Sequence, residues 1–252
     1  MKRLLLIVSI LLPALLNAQP KPGQKNKSIF EFLRPLHGDA DNFEKGLAHH
    51  NQTFHNGKDP VDIYEELTGD QTGEYAFVYR NFYTWSDVKN TTQAAENKDH
   101  AADWDQNVAK YAESNSPRVF YEMSEDSYLP PDMSNFNTDI QGVYLLEPTP
   151  GKEDVFYAGL KKIKEMYKKT NSKNYYIIQN RIFGKGNQTM VAFPLPEGWK
   201  SFEPDPANEW PVMFKKAFPN EDYKAWNKKF SDSQKSFDSF VVKWRKDLSS
   251  PM

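Results

Sequence analysis

The chain contains no cysteine. That excludes a disulfide framework, a thiolate nucleophile, a cysteine metal site and a lipid-anchored lipoprotein. Long apolar runs are missing beyond the N-terminus, where nothing approaches the ~20 residues that a membrane helix requires. A surplus of one charge is lacking too: 32 Lys and Arg stand against 34 Asp and Glu, interspersed along the chain. No basic face develops, so nothing points to nucleic acid as a partner. Zinc-type spacings such as His-Glu-x-x-His are absent, and the linear sequence therefore calls for no metal.

What is present begins with an address. Lys2 and Arg3 precede an apolar stretch from Leu4 to Leu16, and Leu16, Asn17 and Ala18 offer a cleavage site. This is the pattern of a secretory signal peptide over residues 1–18, too short in its apolar part to be a membrane anchor. The expected location is exported, periplasmic or secreted, with no transmembrane segment after cleavage. Without disulfides in such a compartment, stability must come from packing. Aromatic residues make up 14% of the chain, enough to expect a ring-rich core or cleft.

The chain also repeats itself. Pro35, Gly38, Asp41, Phe43, Gly46 and Leu47 recur as Pro148, Gly151, Asp154, Phe156, Gly159 and Leu160, all at an offset of 113. Six identities in thirteen positions compare with about one expected from composition. Trp85 answers Trp199, Trp104 answers Trp226, and residues 118–130 resemble 239–251. Each copy reads as the same series of elements. A strand (29–34; 142–147) ends in a Pro-x-x-Gly turn that opens an amphipathic helix (41–54; 153–169). A hairpin of two strands follows (61–67 with 75–83; 175–183 with 189–195), then a helical region and a closing strand (119–123; 240–245). The fold class is α+β, with two βαββαβ modules over residues 28–131 and 140–252, a polar arm at 19–27 and a turn-rich linker at 132–139.

A βαββαβ unit with Pro-x-x-Gly before an Asp-x-Phe helix resembles the ferredoxin-like dimeric α/β-barrel superfamily, which includes antibiotic-biosynthesis-monooxygenase-like and NIPSNAP-like domains. The stretch from Pro148 to Phe156 carries the likeness most closely. The resemblance implies that the two copies pair their sheets as an intramolecular pseudo-dimer. It also implies a family that hosts oxygenases, haem-degrading enzymes, dehydratases and proteins without known activity, so fold alone does not select a function.

All five histidines, His37, His49, His50, His55 and His100, fall in the first copy. His50 shares a helix face with Phe43, Leu47 and Phe54, where the second copy has Ile163. His49 and His55 stand opposite Lys162 and Lys168 and are expected to face solvent. His100 shares a face with Trp104, Val108 and Tyr111. An inward imidazole suits a general base, a metal ligand or an axial haem ligand, and equally a packed core histidine. The candidate catalytic residue is His50. His100, Trp104, Tyr79, Phe77 and Tyr64 are the candidate lining of a pocket for a small apolar or aromatic ligand, the bland alternative being a sheet–helix interface. The leading expectation is a non-catalytic or small-ligand-binding exported protein. A monooxygenase-like or haem-linked enzyme using His50 is the alternative, and a protein-partner scaffold the third.

Overall fold

The computed structural model describes residues 27–56, 60–82, 84–85, 97–114, 118–129, 139–206 and 208–251. The signal peptide and nearly all of the arm and linker expected from the sequence lie outside these residues. The first half of the chain forms β1 (Lys27–Pro35), α1 (Ala40–Phe54), β2 (Val61–Glu66), β3 (Tyr75–Phe82), α2 (Lys98–Asn107), a short β4 (Ala112–Ser114) and β5 (Val119–Met123). The second half forms β6 (Ile140–Pro148), α3 (Glu153–Thr170), β7 (Ile177–Phe183), β8 (Thr189–Pro194), α4 (Trp210–Ala217), α5 (Tyr223–Ser231) and β9 (Gln234–Trp244). Among the described residues, no helix is long and apolar enough to cross a membrane.

Within each half the sheet order is that of the split βαβ plan: β5-β1-β3-β2 and β9-β6-β8-β7. The edge strand of each half then pairs with the closing strand of the other, β2 with β9 and β5 with β7. All these pairings are antiparallel, and eight strands close into a barrel with β4 appended to β1. The paired-module expectation is thereby met within one chain. Closure leaves no long edge for another chain to extend.

Alternation along each strand separates the barrel interior from the outer faces that the helices cover. Phe30, Val78, Val119, Tyr121, Val143, Met190 and Val242 fill the barrel interior. On the outer face of the first half, Leu33, Val61, Ile63, Tyr75 and Phe77 pack against Phe43 and Leu47 of α1 and Val108 beyond α2. In the second half, Leu146, Tyr176 and Ile178 meet Phe156, Leu160 and Ile163 of α3 and Phe230 of α5. Pro211 occupies the first turn of α4, where its missing N–H has no intrahelical role.

Tyr64 requires a correction. It packs with the barrel-interior cluster, on the side of the sheet opposite Phe77 and Tyr79. Val61 and Ile63 point outward, so period-two alternation turns Tyr64 inward, and nearness in sequence to the hairpin did not place it on the same face.

Candidate metal centre in the first module

The site begins with helix spacing. Phe43, Leu47, His50 and Phe54 recur at three- and four-residue intervals, so His50 lies on the stripe of α1 that faces the sheet, with 1% of its surface exposed. Helix α2 is brought unusually near α1 at Gly46. A Cβ there would stand 1.7 Å from the carbonyl oxygen of Asn107, so only glycine permits the approach. α2 starts where the Asn97 side chain accepts a hydrogen bond from the Asp99 N–H, a standard N-cap. It then carries His100, Asp103 and Trp104 onto the α1 side.

His55 is the residue that the sequence misplaced. Extending the α1 helical wheel put it opposite Lys168 and therefore in solvent, yet it is 5% exposed. The helix stops at Phe54, and His55 is its C-cap, with φ −108° and ψ 12° and its N–H donating to the Asn51 carbonyl at 3.1 Å. Departure from helical geometry turns the ring inward, toward His50 and His100.

The three imidazoles converge. His50, His55 and His100 each present a ring nitrogen within 4.8 Å of the others. The Nε2 atoms of His55 and His100 are 3.4 Å apart, and the His50 and His100 ring centroids are separated by 4.6 Å. On the far side of His50, Nδ1 lies 2.8 Å from Oδ2 of Asp103. An ionised carboxylate only accepts, so the Nδ1–H donates and Nε2 keeps its lone pair. Asp103 is held in turn by Asn107, whose Nδ2 donates to Oδ1 at 2.6 Å, and His49 Nε2 approaches the same oxygen at 3.5 Å while its side chain stays largely exposed.

The electrostatics favour neutral rings beside a charged acid. Burial disfavours the imidazolium of His50 and lowers its pKa although Asp103 opposes this, and burial lowers that of His100 as well. Burial alone would raise the Asp103 carboxyl, but hydrogen bonds from His50 and Asn107 outweigh it and hold the pKa below its usual value.

Aromatic rings wall the group. Phe54 lies 5.3 Å from His50 and 5.1 Å from His100, Trp104 is 5.1 Å from His50, and Tyr79 is 6.1 Å from His55. Phe77 touches the back of Trp104 at 5.7 Å. Of the sequence candidates, His50, His100, Trp104, Tyr79 and Phe77 are gathered here, and Tyr64 is not. His55 and Asp103 complete the group. The one available hint was Asp103 three residues after His100, on a helix beside a run of three histidines.

Chemically, the cluster suits a single ion. A tetrahedral metal with nitrogen bonds of about 2.0–2.1 Å separates its ligands by about 3.3–3.4 Å. The His55–His100 distance already matches this edge. Imidazole favours zinc, copper, iron or nickel, and the Asp–His–metal arrangement is the usual way of fixing ligand tautomer and direction. A haem does not fit at His50: the side of the ring that an axial ligand would offer is faced by two other imidazoles rather than by a flat slot. His50 also borders Trp104 by packing rather than across a cavity. A cavity of about 240 Å³ lies in the second module instead, lined by Thr170, Lys173, Asn208, Lys216 and their neighbours.

No protein-family model matches the chain, and no curated protein matches its sequence. Solved structures do resemble it. A candidate monooxygenase from Lactobacillus acidophilus superposes with a TM-score of 0.54 at 13% identity, over 90% of this chain and 96% of that one. A mutant chlorite dismutase from Candidatus Nitrospira defluvii gives 0.54 at 8% identity, over 90% and 94%. A candidate monooxygenase from Fusobacterium nucleatum gives 0.53 at 10% identity, over 88% and 94%. These likenesses show the fold alone, ferredoxin-like α/β units paired into a barrel.

Proposed function

We propose that the protein is an exported binding protein whose ligand is one divalent transition-metal ion, held by His50, His55 and His100 of the first module. The observation that carries this reading is the convergence of three ring nitrogens within 4.8 Å, with Asp103 fixing the His50 tautomer from behind. Three protein ligands leave one tetrahedral position for water or a small ligand, and the bound ion would act there as a Lewis acid. Phe54, Trp104 and Tyr79 keep the surroundings apolar, which strengthens the ion's interactions and restricts what else enters. His100, the least buried of the three, is where the group approaches the surface.

This reading keeps the non-catalytic binding function expected from the sequence but replaces the small apolar or aromatic ligand expected there, and corrects the expectation of no metal site, because the three imidazoles that converge are not adjacent in sequence. The monooxygenase-like alternative rests on the fold likeness and on the His50–Asp103 pair acting as a base, and close packing around His50 weighs against it. The test is a titration of the chelator-treated mature protein with Zn(II) and Co(II), followed by calorimetry and the cobalt absorption spectrum. One ion per chain, lost in His55→Ala and in His100→Ala, is the expected result. Absence of binding in the wild type overturns the reading. A Soret band on adding hemin, abolished by His50→Ala, replaces it with the haem-linked one.

A further inference from the structure

The bend at His55 and Asn56 lies between described residues, Asn51 and Val61, that are held to the C-terminal tail of the other module. Before the turn, Asn51 is 1% exposed and donates its side-chain N–H to the Leu248 carbonyl at 2.7 Å, while its own carbonyl caps His55. After the turn, the Val61 N–H donates to Ser250 Oγ at 2.9 Å and the Ser250 N–H returns to the Val61 carbonyl at 2.9 Å. The Ile63 N–H donates to Ser249 Oγ at 2.9 Å, and Leu248 is buried in the core that also contains Phe43, Leu47 and Phe77. Just upstream, Arg245 grips Glu44 of α1 with both terminal nitrogens, at 2.6 and 2.7 Å.

The second module has the same device without the ligand. The segment after β5 crosses to β7: the Ile178 N–H donates to Ser127 Oγ at 2.9 Å, and Tyr128 and Tyr176 exchange backbone hydrogen bonds at 3.0 Å. Lys164, which stands at the place of Asn51 by the 113-residue offset, donates to the Glu125 carbonyl. There the bracketed turn follows Lys168, where the first module has His55.

We infer that the tail Leu248–Ser250 positions His55 for metal, so that docking of the tail and binding of the ion are thermodynamically linked. This rests on the proposed metal site. Linkage is reciprocal: whatever the tail contributes to metal affinity, the metal returns to tail docking. Asn51 and Leu248 are thus positioning residues, which act on the ion through His55.

Three measurements on the mature full-length chain test this. Deleting residues 248–252, and separately Asn51→Ala, should weaken Co(II) binding about tenfold or more, in the range of an outer-sphere partner, and should change the cobalt spectrum. Hydrogen exchange at Ser249 and Ser250 should slow when Zn(II) is added to the wild type but not to His100→Ala, which retains the tail and lacks a ligand. If the truncated chain fails to fold, Asn51→Ala and the exchange experiment decide. Wild-type metal binding with unaltered affinity and spectrum in the variants, and exchange indifferent to Zn(II), overturns the linkage and leaves the metal site standing. A wild type that binds no metal removes both.

Discussion

The two helical layers are built on equivalent positions and filled with opposite chemistry. Phe43 and Phe156 are each fully buried, and Leu47 matches Leu160. At the next turn His50 faces Ile163, and beyond it His55 faces Lys168. Around His50 the first module gathers three imidazoles and a carboxylate. The second gathers a ring stack in which Phe156 and Phe230, Trp226 and Phe230, and Phe214 and Trp226 lie 5.9, 5.8 and 4.9 Å apart. Even the helix approach is shared, since Gly159 admits the Phe230 ring as Gly46 admits Asn107. The scaffold therefore closes without histidine. Burying His50 where the second module has Ile163, with His55 buried beside it, brings a desolvation cost that packing alone does not explain.

Several substitutions break or sharpen that contrast. The largest effect belongs to the apolar layer: Phe214→Ala should destabilise the fold by about 3–5 kcal/mol in urea unfolding, because a fully buried ring leaves a cavity. Metal affinity should follow this only as far as the fold is lost. Next, His100→Ala should lower metal affinity by more than about a hundredfold, exceeding the loss typical of an outer-sphere residue. Ile163→His, by contrast, should leave the stoichiometry at one ion per chain in equilibrium dialysis, because Lys168 stands at the place of His55 and Asp222, at the place of His100, caps α5 through its side chain. Asp103→Asn should cost about 10–100-fold in affinity, since a neutral amide no longer fixes the His50 tautomer with the same charge.

The smallest effect contrasts the seams. By equivalence of Ile63 with Ile178, Glu66 on the β2–β9 side corresponds to Arg181 on the β5–β7 side. Arg181 donates to the Tyr121 hydroxyl at 3.1 Å and also to Gln188. Glu66 accepts from the Gln71 N–H at 3.1 Å, and burial, with Glu74 and Asp238 nearby, pushes its pKa from 4.5 to about 7. The folded state therefore takes up a proton here. Its stabilising contribution is present below the ordinary carboxylate value and is lost as pH rises through about 7. Glu66→Gln should flatten that decline, read as the urea midpoint at about pH 5 and about pH 8.5; an unchanged slope would show that the carboxyl is ionised throughout.

The architecture was legible because its signals are periodic and stated twice. Gly46 and Gly159, Phe43 and Phe156, and the Pro-x-x-Gly turns identify one unit and then repeat it. Much of the site was readable as well, since helix spacing turns His50, His100 and Trp104 inward. What escaped lies where periodicity stops. His55 is one residue past the end of α1, so the helical wheel no longer describes it. Tyr64 follows two outward-facing strand residues and had to be placed by parity, not by distance along the chain. The three imidazoles come from α1, from the residue that caps it and from α2, with His100 arriving 45 residues after His55, and no linear spacing can express that. The three-residue β4 is too short to carry an alternation of its own.

Closing the barrel inside one polypeptide also changes what the molecule can become. A homodimer with this ring of strands carries every substitution twice and must keep two identical helical layers. Here both seams join halves that are encoded separately, so one half can hold ionisable rings while the other remains a plain support. The joining segment fixes the halves as partners at any dilution. Their ratio is one to one by construction. One histidine cluster per barrel, with no twin site to cooperate with, follows from that asymmetry, and saturation with metal should describe a simple hyperbola.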